Sequence, residues 1–394
     1  MTSERNNLPA LPARLRPLFE TLTGSRIRAV SESAFGKSGL IPLWFGESDR
    51  VTPPFINEAA KKALDAGHTF YTPNRGIPAL REAVAGYVSG LRQRTIDVER
   101  VTITASGVNA IMLVMQTLVD PGDNVVLVTP LWPNCADAVS ALSAEPRRAS
   151  LTPRDGGWTL DLDRLFDLCD DRTRAIFVNS PGNPTGWMAK PEELRAILDF
   201  CRRRRIWAIA DEVYERLVYD RPVSPSLLDI AAPEDPVISI NSFSKAWCMT
   251  GWRLGWVIAP EGYGDTLGKV TEFNMSAATS FVQHAGVAAI KEGEPFVAEI
   301  VEQYRQARDL VTQRLGGMRR VRMARPDAAF YAFFQVDGMT DSLATAKEIV
   351  AKCGVGLAPG IAFGPEGEGW LRLCFATGKA KLSEALDRLE PALS

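Results

Sequence analysis

Short apolar runs recur along this chain, and their spacing constrains the fold more than any other feature of the sequence. Each run is four or five residues long and is bounded by polar residues, Gly or Pro. The runs lie at residues 101–104 (VTIT), 125–129 (VVLVT), 175–179 (AIFVN), 206–210 (IWAIA), 237–241 (VISIN) and 254–258 (LGWVI). Such runs are typical of strands buried on both faces of a sheet, and several of the segments between them have helical character. The sequence therefore predicts an α/β fold.

The order of predicted strands and helices changes in the C-terminal part of the chain, which predicts a second, smaller unit. An amphipathic helix over residues 295–315 ends at Gly316 and Gly317. Beyond it the pattern predicts a strand over 330–336, a helix over 342–353, a strand over 370–375 and a final helix. This α+β order differs from the strand-rich part before it.

The length of the chain also indicates two domains. A single hydrophobic core stops growing near about 250 to 300 residues, and this chain has 394. We expect a large domain over residues 47–293 and a small domain formed by residues 1–46 together with 294–394.

Composition narrows the class of partner. The chain has 45 basic and 47 acidic side chains, so no overall charge attracts it to nucleic acid or to an anionic membrane. No apolar run approaches the ~18 residues that span a bilayer, and Met1 to Arg5 do not open an apolar secretory signal. His68 and His284 have no neighbours at metal-ligand spacing, so we expect no metal site. These features predict a cytoplasmic protein whose partners are small molecules.

Polar side chains follow three of the predicted strands at the point where each strand ends. They lie at residues 179–183, 211–214 and 242–245, at offsets close to one strand-helix-strand unit. Because the carboxyl ends of parallel strands meet at one edge of a sheet, we expect these side chains to lie close together.

The stretch that begins at Ser242 carries the most chemistry. Ser242, Ser244, Lys245 and Arg253 place two hydroxyls, an ammonium and a guanidinium within a dozen residues. This set suits a phosphorylated carbonyl cofactor held by a Schiff base, which is pyridoxal 5'-phosphate. Lys245 would form the covalent link and later move the substrate's proton, while the two serines and Arg253 would bind phosphate.

Residues on the neighbouring strands have uses around the same cofactor. Asp211 would stabilise the protonated ring nitrogen, because an opposite charge favours the charged form of its neighbour. Tyr214 and Asn183 could form hydrogen bonds with the phenolic oxygen of the ring. A helix that starts near Gly107 would direct its free N–H groups at the phosphate.

These residues belong to an ordered set of motifs that resembles the class I, aspartate aminotransferase-like members of the fold-type I pyridoxal phosphate enzymes. The motifs are SRIR at 25–28, GE at 46–47, YTPNRGIPALRE at 71–82, NSPGNPTG at 179–186, DEVY at 211–214, SFSK at 242–245 and the strand around Arg372. The resemblance implies a large, mainly parallel, seven-stranded sheet flanked by helices, with a smaller α+β domain. It also implies a homodimeric aminotransferase that moves the amino group of an L-α-amino acid to a 2-oxo acid by a ping-pong mechanism through pyridoxamine phosphate.

The resemblance adds further cofactor-binding residues to those already named. Ser106, Gly107 and Val108 are similar to the phosphate-binding helix start, and Trp132 to the aromatic residue that stacks on the cofactor ring. Tyr71 resembles the tyrosine that reaches the phosphate of the neighbouring subunit. Val108 departs from the many relatives that have a polar side chain there, so its contact with phosphate would come from the backbone alone.

The resemblance also implies how substrate is held. Arg372 is similar to the arginine that binds the substrate α-carboxylate, with Asn183 and the backbone of Gly46 beside it. The residues alone leave open that Arg372 is paired with an internal Asp or Glu instead. No second arginine matches the one that recognises dicarboxylate side chains, so the sequence does not predict aspartate as the substrate.

Two other functions compete with this interpretation. A carbon-sulfur β-lyase or another fold-type I enzyme would use the same site residues for elimination. A non-catalytic ligand sensor could use the same fold without turnover, although the segment before Gly46 is short for an added DNA-binding module.

Overall fold

The computed structural model describes residues 15–21, 23–154 and 156–394. The strands are β1 (Ile41–Pro42), β2 (Val101–Thr104), β3 (Asn124–Thr129), β4 (Glu145–Ser150), β5 (Thr152–Arg154), β6 (Gly157–Thr159), β7 (Thr173–Asn179), β8 (Trp207–Asp211), β9 (Val237–Ser242), β10 (Gly255–Ile258), β11 (Val321–Met323), β12 (Tyr331–Val336), β13 (Val355–Gly356), β14 (Ala358–Pro359) and β15 (Trp370–Cys374). The α-helices are α1 (Pro17–Thr21), α2 (Arg26–Ser33), α3 (Pro54–Asp65), α4 (Pro78–Arg92), α5 (Gly107–Leu118), α6 (Asn134–Ala141), α7 (Leu162–Asp167), α8 (Pro191–Arg204), α9 (Gly264–Met275), α10 (Ser280–Glu292), α11 (Glu294–Gly316), α12 (Ser342–Cys353) and α13 (Lys379–Leu393).

The central element is a seven-stranded sheet with the strand order β2-β10-β9-β8-β7-β3-β4. Its strands pair in parallel from β9 through β8, β7 and β3 to β4, and β10 runs antiparallel to both of its neighbours, β2 and β9. The α/β class and the mainly parallel seven-stranded sheet predicted from the sequence are therefore confirmed.

Alternate residues of the strands enter two separate hydrophobic clusters on the two faces of the sheet. In β3, Val126 and Val128 belong to one cluster, whereas Val125 and Leu127 belong to the other. Helices cover both faces, and α5 packs its apolar side into the second cluster. Burial on both faces explains why these strands are continuous apolar runs in the sequence instead of alternating apolar and polar residues.

Each of the six apolar runs forms a strand of this sheet, with limits that differ by at most two residues from those predicted. The edge strand β4 was not predicted. Its sequence, EPRRAS, lacks an apolar run because only Ala149 of its residues is fully buried. An edge strand with one partner can stay polar, so apolar patterning does not reveal it.

The smaller sheet has the order β11-β12-β15-β14, with each neighbouring pair antiparallel. The predicted strand, helix and strand of the C-terminal part are present as β12, α12 and β15. The segment before Gly46 joins this part of the molecule, because β1 pairs in parallel with β13 through Ile41 and Val355. The predicted domain limits, 47–293 and 1–46 with 294–394, stay a prediction, and residues 1–14 lie outside the described residues.

None of the helices within the described ranges is both long enough and apolar enough to cross a membrane.

Candidate active site

The carboxyl ends of the central strands define one edge of the sheet, and the predicted polar residues meet there. Asn179 at the end of β7 is paired in register with Asp211 at the end of β8. Ser242, the last residue of β9, is paired with Gly255 of β10, which in turn faces Thr104 at the end of β2. The register therefore aligns the chain segments that begin at these strand ends.

A cavity of about 700 Å³ opens at this edge. This volume lies within the range of pockets that hold small-molecule cofactors. Twelve of the residues predicted from the sequence line it: Gly46, Gly107, Val108, Trp132, Asn183, Asp211, Tyr214, Ser242, Ser244, Lys245, Arg253 and Arg372.

Lys245 lies in the cavity with a neutral hydrogen-bond partner. Its Nζ atom donates to the backbone oxygen of Gly46 at 2.7 Å and lies 5.7 Å from the ring centre of Tyr214 and 5.8 Å from that of Phe330. It forms no ion pair among the described residues. Burial of the ammonium lowers the pKa of Lys245 to about 8, and the positive charge of Arg372 acts in the same direction. A usable fraction of this amine is therefore neutral near pH 7.

Asp211 is a buried carboxylate with little local compensation for its charge. One of its oxygens accepts a long hydrogen bond, 3.4 Å, from the backbone N–H of Val213. Burial raises the pKa of Asp211 to about 7, and the hydrogen bond and the positive charge of Lys245 only partly oppose this. A cationic group placed beside this carboxylate in the cavity would restore its ionised form.

The start of α5 and the end of β9 form a group of hydrogen-bond donors at one end of the cavity. The Oγ atom of Ser242 donates to that of Ser244 at 2.9 Å. Arg253 has no carboxylate partner among the described residues and lines the same cavity. Ser106 caps α5 by accepting from the N–H of Asn109 at 3.1 Å, which leaves the N–H groups of Gly107 and Val108 without partners within the helix. Hydroxyls, a guanidinium and helix N–H groups together are suited to a phosphate.

Gly255 allows these two segments to approach. A Cβ atom on Gly255 would lie 2.7 Å from the backbone oxygen of Asn241, 2.8 Å from the carbonyl carbon of Ser106 and 2.9 Å from the nitrogen of Gly107. All three are backbone atoms, so no side chain could move aside. The absence of a side chain at Gly255 therefore lets the first turn of α5 pack directly on the sheet.

Arg372 is a buried cation whose only described partners are neutral oxygens. Its side chain is 1% exposed, and it donates to the side-chain oxygen of Asn183 at 3.0 Å and to the backbone oxygen of Trp44. Its guanidinium carbon lies over the rings of Tyr331 and Phe363, 4.5 and 4.9 Å from their centres. Its Nε atom has no hydrogen-bond partner in the described part of the chain. Within the described part of the chain no Asp or Glu pairs with it, so the alternative of an internal carboxylate partner is not supported.

Two predicted residues do not line the cavity. Ser106 lies behind its wall as the cap of α5. Tyr71 is 91% exposed and is outside the cavity of its own chain.

Among the lining residues that have no role predicted from the sequence, Tyr331 and Arg28 are the most informative. The sequence predicts only a strand at Tyr331, the first residue of β12, whose hydroxyl lies 2.7 Å from that of Tyr214. Arg28, in the first turn of α2, belongs to the SRIR motif, for which the sequence gives no individual role to this arginine. Its guanidinium lies 5.9 Å from the ring centre of Phe45 and has no ion pair among the described residues. The only sequence signal for Arg28 was its place in a matched motif, and Tyr331 had none beyond being polar in an apolar strand.

Comparison with known proteins agrees with this geometry. The family model for aminotransferase class I and II matches residues 40–389. The chain is 37% identical to an aspartate aminotransferase of Pyrococcus horikoshii, over 94% of each chain, and 34% identical to aromatic-amino-acid aminotransferase 2 of Thermococcus litoralis, over 95% of this chain and 97% of that one.

Solved structures show the same relationship. The aspartate aminotransferase of Thermus thermophilus, solved with maleate, superposes with a TM-score of 0.90 at 30% identity, over 97% of this chain and all of that one. The aromatic aminotransferase of Pyrococcus horikoshii superposes with a TM-score of 0.85 at 33% identity, over 92% of this chain and 98% of that one. The chain therefore belongs to the class I and II aminotransferase family and is an enzyme with the fold-type I, aspartate aminotransferase-like architecture.

Proposed function

We propose that this aminotransferase binds pyridoxal 5'-phosphate in the cavity at the carboxyl edge of the central sheet and transfers the amino group of an L-α-amino acid to a 2-oxo acid. One observation supports this more than any other. Arg372 is a fully buried cation without a carboxylate partner among the described residues, in the same cavity as the partly neutral amine of Lys245. A buried charge is costly unless it is paired, so an anionic ligand fits this position.

The donor groups in the cavity fit the cofactor. Ser242, Ser244, Arg253 and the start of α5 match its phosphate, with the Val108 contribution coming from the backbone. The sparsely compensated carboxylate of Asp211 matches a protonated ring nitrogen, because each would favour the charged form of the other.

The remaining cofactor contacts are proposed for three residues. Tyr214 and Asn183 would donate to the phenolic oxygen of the ring. Burial keeps the pKa of Tyr214 well above its ordinary value, so its hydroxyl remains a donor. The side-chain oxygen of Asn183 already accepts from Arg372, so its NH₂ group is the part available to a ligand. Trp132 lines the cavity and would stack on the ring.

Lys245 would act first as the covalent anchor and then as the proton carrier. Pyridoxal phosphate, when bound, supplies a carbonyl that condenses with amines and a ring that accepts the electron pair left at the substrate α-carbon. The neutral Lys245 amine, once freed, would accept and later release the proton that leaves the substrate α-carbon. A pKa of about 8 reduces the free-energy cost of the neutral amine relative to an ordinary lysine.

Arg372 would position the substrate for this transfer. Its guanidinium would hold the α-carboxylate, with Asn183 and the backbone of Gly46 beside it. Arg28, which has no ion pair among the described residues, places a second guanidinium in the cavity lining. The named relatives include enzymes for aspartate and for aromatic amino acids, so acidic and aromatic donors both belong in the first substrate panel.

We further propose that the enzyme is a cytoplasmic homodimer in which Tyr71 contributes to the phosphate site of the neighbouring subunit. The exposure of Tyr71 supports this, because a tyrosine in that position would be available to a second chain.

Replacement of Lys245 tests the proposal directly. Purified protein incubated with pyridoxal phosphate is expected to show a visible absorption band and to transfer amino groups, and Lys245→Ala is expected to lose both. Lys291→Ala, which removes an exposed lysine on α10, serves as the matched control and is expected to retain both. Turnover by Lys245→Ala would reject the role of this lysine.

A second measurement separates transfer from elimination. The amino acid panel is run with and without a 2-oxo acid acceptor. An aminotransferase turns over only when the acceptor is present, whereas a β-lyase releases ammonia and pyruvate without it. Acceptor-independent ammonia release would favour the lyase, and binding without any turnover would favour a sensor.

A further inference from the structure

Tyr331 connects three groups of the cavity that the sequence treats separately. Its hydroxyl lies 2.7 Å from that of Tyr214, and its ring centre lies 4.5 Å from the guanidinium carbon of Arg372. Its hydroxyl also packs on Gly46, since a Cβ atom there would lie 2.1 Å from the Tyr331 oxygen. Gly46 in turn accepts the hydrogen bond of Lys245 at 2.7 Å. Tyr331 is fully buried yet lines the cavity.

The two phenols share one hydrogen bond, and its direction matters. Burial raises the pKa of Tyr331 and of Tyr214 above their ordinary values, so each hydroxyl keeps its single proton. If Tyr214 donates to Tyr331, it has no proton left for a ligand. If Tyr331 donates to Tyr214, the proton of Tyr214 is free to point into the cavity.

An acceptor in the cavity selects the second direction. An anionic oxygen beside Tyr214 would attract the Tyr214 proton, and the Tyr214 oxygen would then accept from Tyr331. Hydrogen bonds linked in series are cooperative, because a hydroxyl that accepts a hydrogen bond becomes a better donor. The other titratable groups that act on Tyr331 are Arg372, Cys374 and Glu47.

We propose that Tyr331 is a positioning residue of the cofactor site: it donates to Tyr214 so that Tyr214 donates to the phenolic oxygen of the cofactor, and its ring supports the guanidinium of Arg372. This inference rests on the proposed binding of pyridoxal phosphate. It goes beyond that proposal because it assigns a function to a residue that never needs to touch the cofactor.

The proposal predicts a spectroscopic effect. A stronger donor at the phenolic oxygen stabilises its negative charge and so lowers the proton affinity of the neighbouring lysine-linked nitrogen. The pH midpoint at which the visible band changes is therefore expected to rise in Tyr331→Phe, by about 0.5 to 1 pH unit. The band itself is retained, because Lys245 is unchanged.

Three further variants distinguish an effect that acts through Tyr214 from a general effect of altering a buried tyrosine. Tyr304→Phe removes the hydroxyl of another fully buried tyrosine, which packs 5.6 Å from Phe330 but does not line the cavity, and is expected to leave the midpoint unchanged. Tyr214→Phe raises the midpoint, and adding Tyr331→Phe to it produces no further rise, because Tyr331 acts through Tyr214. Tyr331→Leu also removes the ring beneath Arg372, so it additionally raises KM for the amino acid more than Tyr331→Phe does.

Each result bears on the proposal. A Tyr331→Phe midpoint equal to that of the unmodified protein overturns it, and so does an additive shift in the double variant. Thermal melts of every variant check that the chain is folded. Tyr331→Leu also lacks the hydroxyl, so it gives a second measurement of the midpoint without this group. If the unmodified protein forms no visible band with pyridoxal phosphate, both the proposed function and this inference are rejected. A normal band with normal turnover but an unshifted Tyr331→Phe midpoint rejects only the inference.

Discussion

At the scale of single residues, the cavity holds ionisable groups whose charges the described protein does not balance. Among the described residues, Arg372 is a buried cation with only neutral partners, and Asp211 is a buried carboxyl group whose side chain has one long hydrogen bond. By contrast, Arg92 and Glu215, which are also buried, pair directly with each other. Buried charges without such a partner are typical of functional sites, where the ligand supplies the compensation.

This imbalance predicts how the stability of the cofactor-free protein depends on pH. The pKa of Asp211 is raised from its ordinary value of 3.8 to about 7. The folded state therefore favours the protonated acid, and this contribution to stability is lost as the pH rises toward and through about 7. Asp211→Asn cannot ionise, so it is expected to lose less stability than the unmodified chain between pH 5 and pH 8, by on the order of 2 kcal/mol.

Denaturant unfolding of both cofactor-free proteins across that pH range measures the difference. Glu212, whose pKa burial also raises to about 7, is present in both proteins, so its contribution cancels. Equal losses of stability in the two proteins would contradict the assignment of the titration to Asp211.

At the scale of elements, the phosphate end of the cavity depends on the contact between α5 and the sheet. The N-terminus of α5 and the end of β9 come together because Gly255 of β10 has no side chain. Ser106 and Ser242 lie in separate segments of the chain, so they come together only through this contact.

Gly255→Ala is therefore expected to harm both stability and cofactor binding. Its methyl group would contact three backbone atoms within 3 Å, and overpacking of this kind costs about 1 to 3 kcal/mol. Because it forces the start of α5 away from β9, it should also weaken the affinity for pyridoxal phosphate.

Thermal unfolding and a fluorescence titration with the cofactor measure the two effects. Gly86→Ala in α4 is the matched control, because no atom of the described residues lies within 4 Å of the added one. In a helix interior that change is expected to be neutral or stabilising by up to about 1 kcal/mol. Full affinity and stability in Gly255→Ala would show that the contact is more adaptable than the backbone positions indicate.

At the scale of the whole molecule, a group of large apolar side chains is left on the surface. Phe70, Tyr71 and Phe273 are 81%, 91% and 74% exposed. The segment that carries Tyr71 is joined to α9, which carries Phe273, by a hydrogen bond from Asn74 to Glu272 at 3.0 Å. Exposed apolar side chains close together often mark a protein interface, which agrees with the proposed homodimer.

Mixing two defective chains tests whether Tyr71 acts across that interface. If each cavity combines its own Lys245 with Tyr71 of the other subunit, a hybrid of Lys245→Ala and Tyr71→Ala has one cavity with both residues intact. Co-expression of the two variants is then expected to restore activity to about a quarter of the sites. Activity no higher than the mean of the two variants, in a mixture shown by light scattering to contain dimers, would place Tyr71 outside the neighbouring site.

Local patterns in the sequence were enough to predict the class of the fold and twelve of the residues that line the cavity. The strands were readable because burial on both faces leaves a local, continuous apolar run, and α12 begins and ends at the residues predicted. The polar edge was readable because parallel strands of similar spacing place their carboxyl ends together. The edge strand β4 was missed, since a strand with one partner needs few apolar residues.

Which of these residues act together depends on contacts that form only when the chain is folded. Tyr214 and Tyr331 are 117 positions apart, and Asn183 and Arg372 are 189 positions apart, yet each pair forms a hydrogen bond. No local pattern encodes such a contact, because it depends on how the smaller sheet packs against the larger one. The same packing leaves Arg372 without a carboxylate in the described chain and places Arg28 in the cavity wall, and these two facts most directly shape what the enzyme can bind.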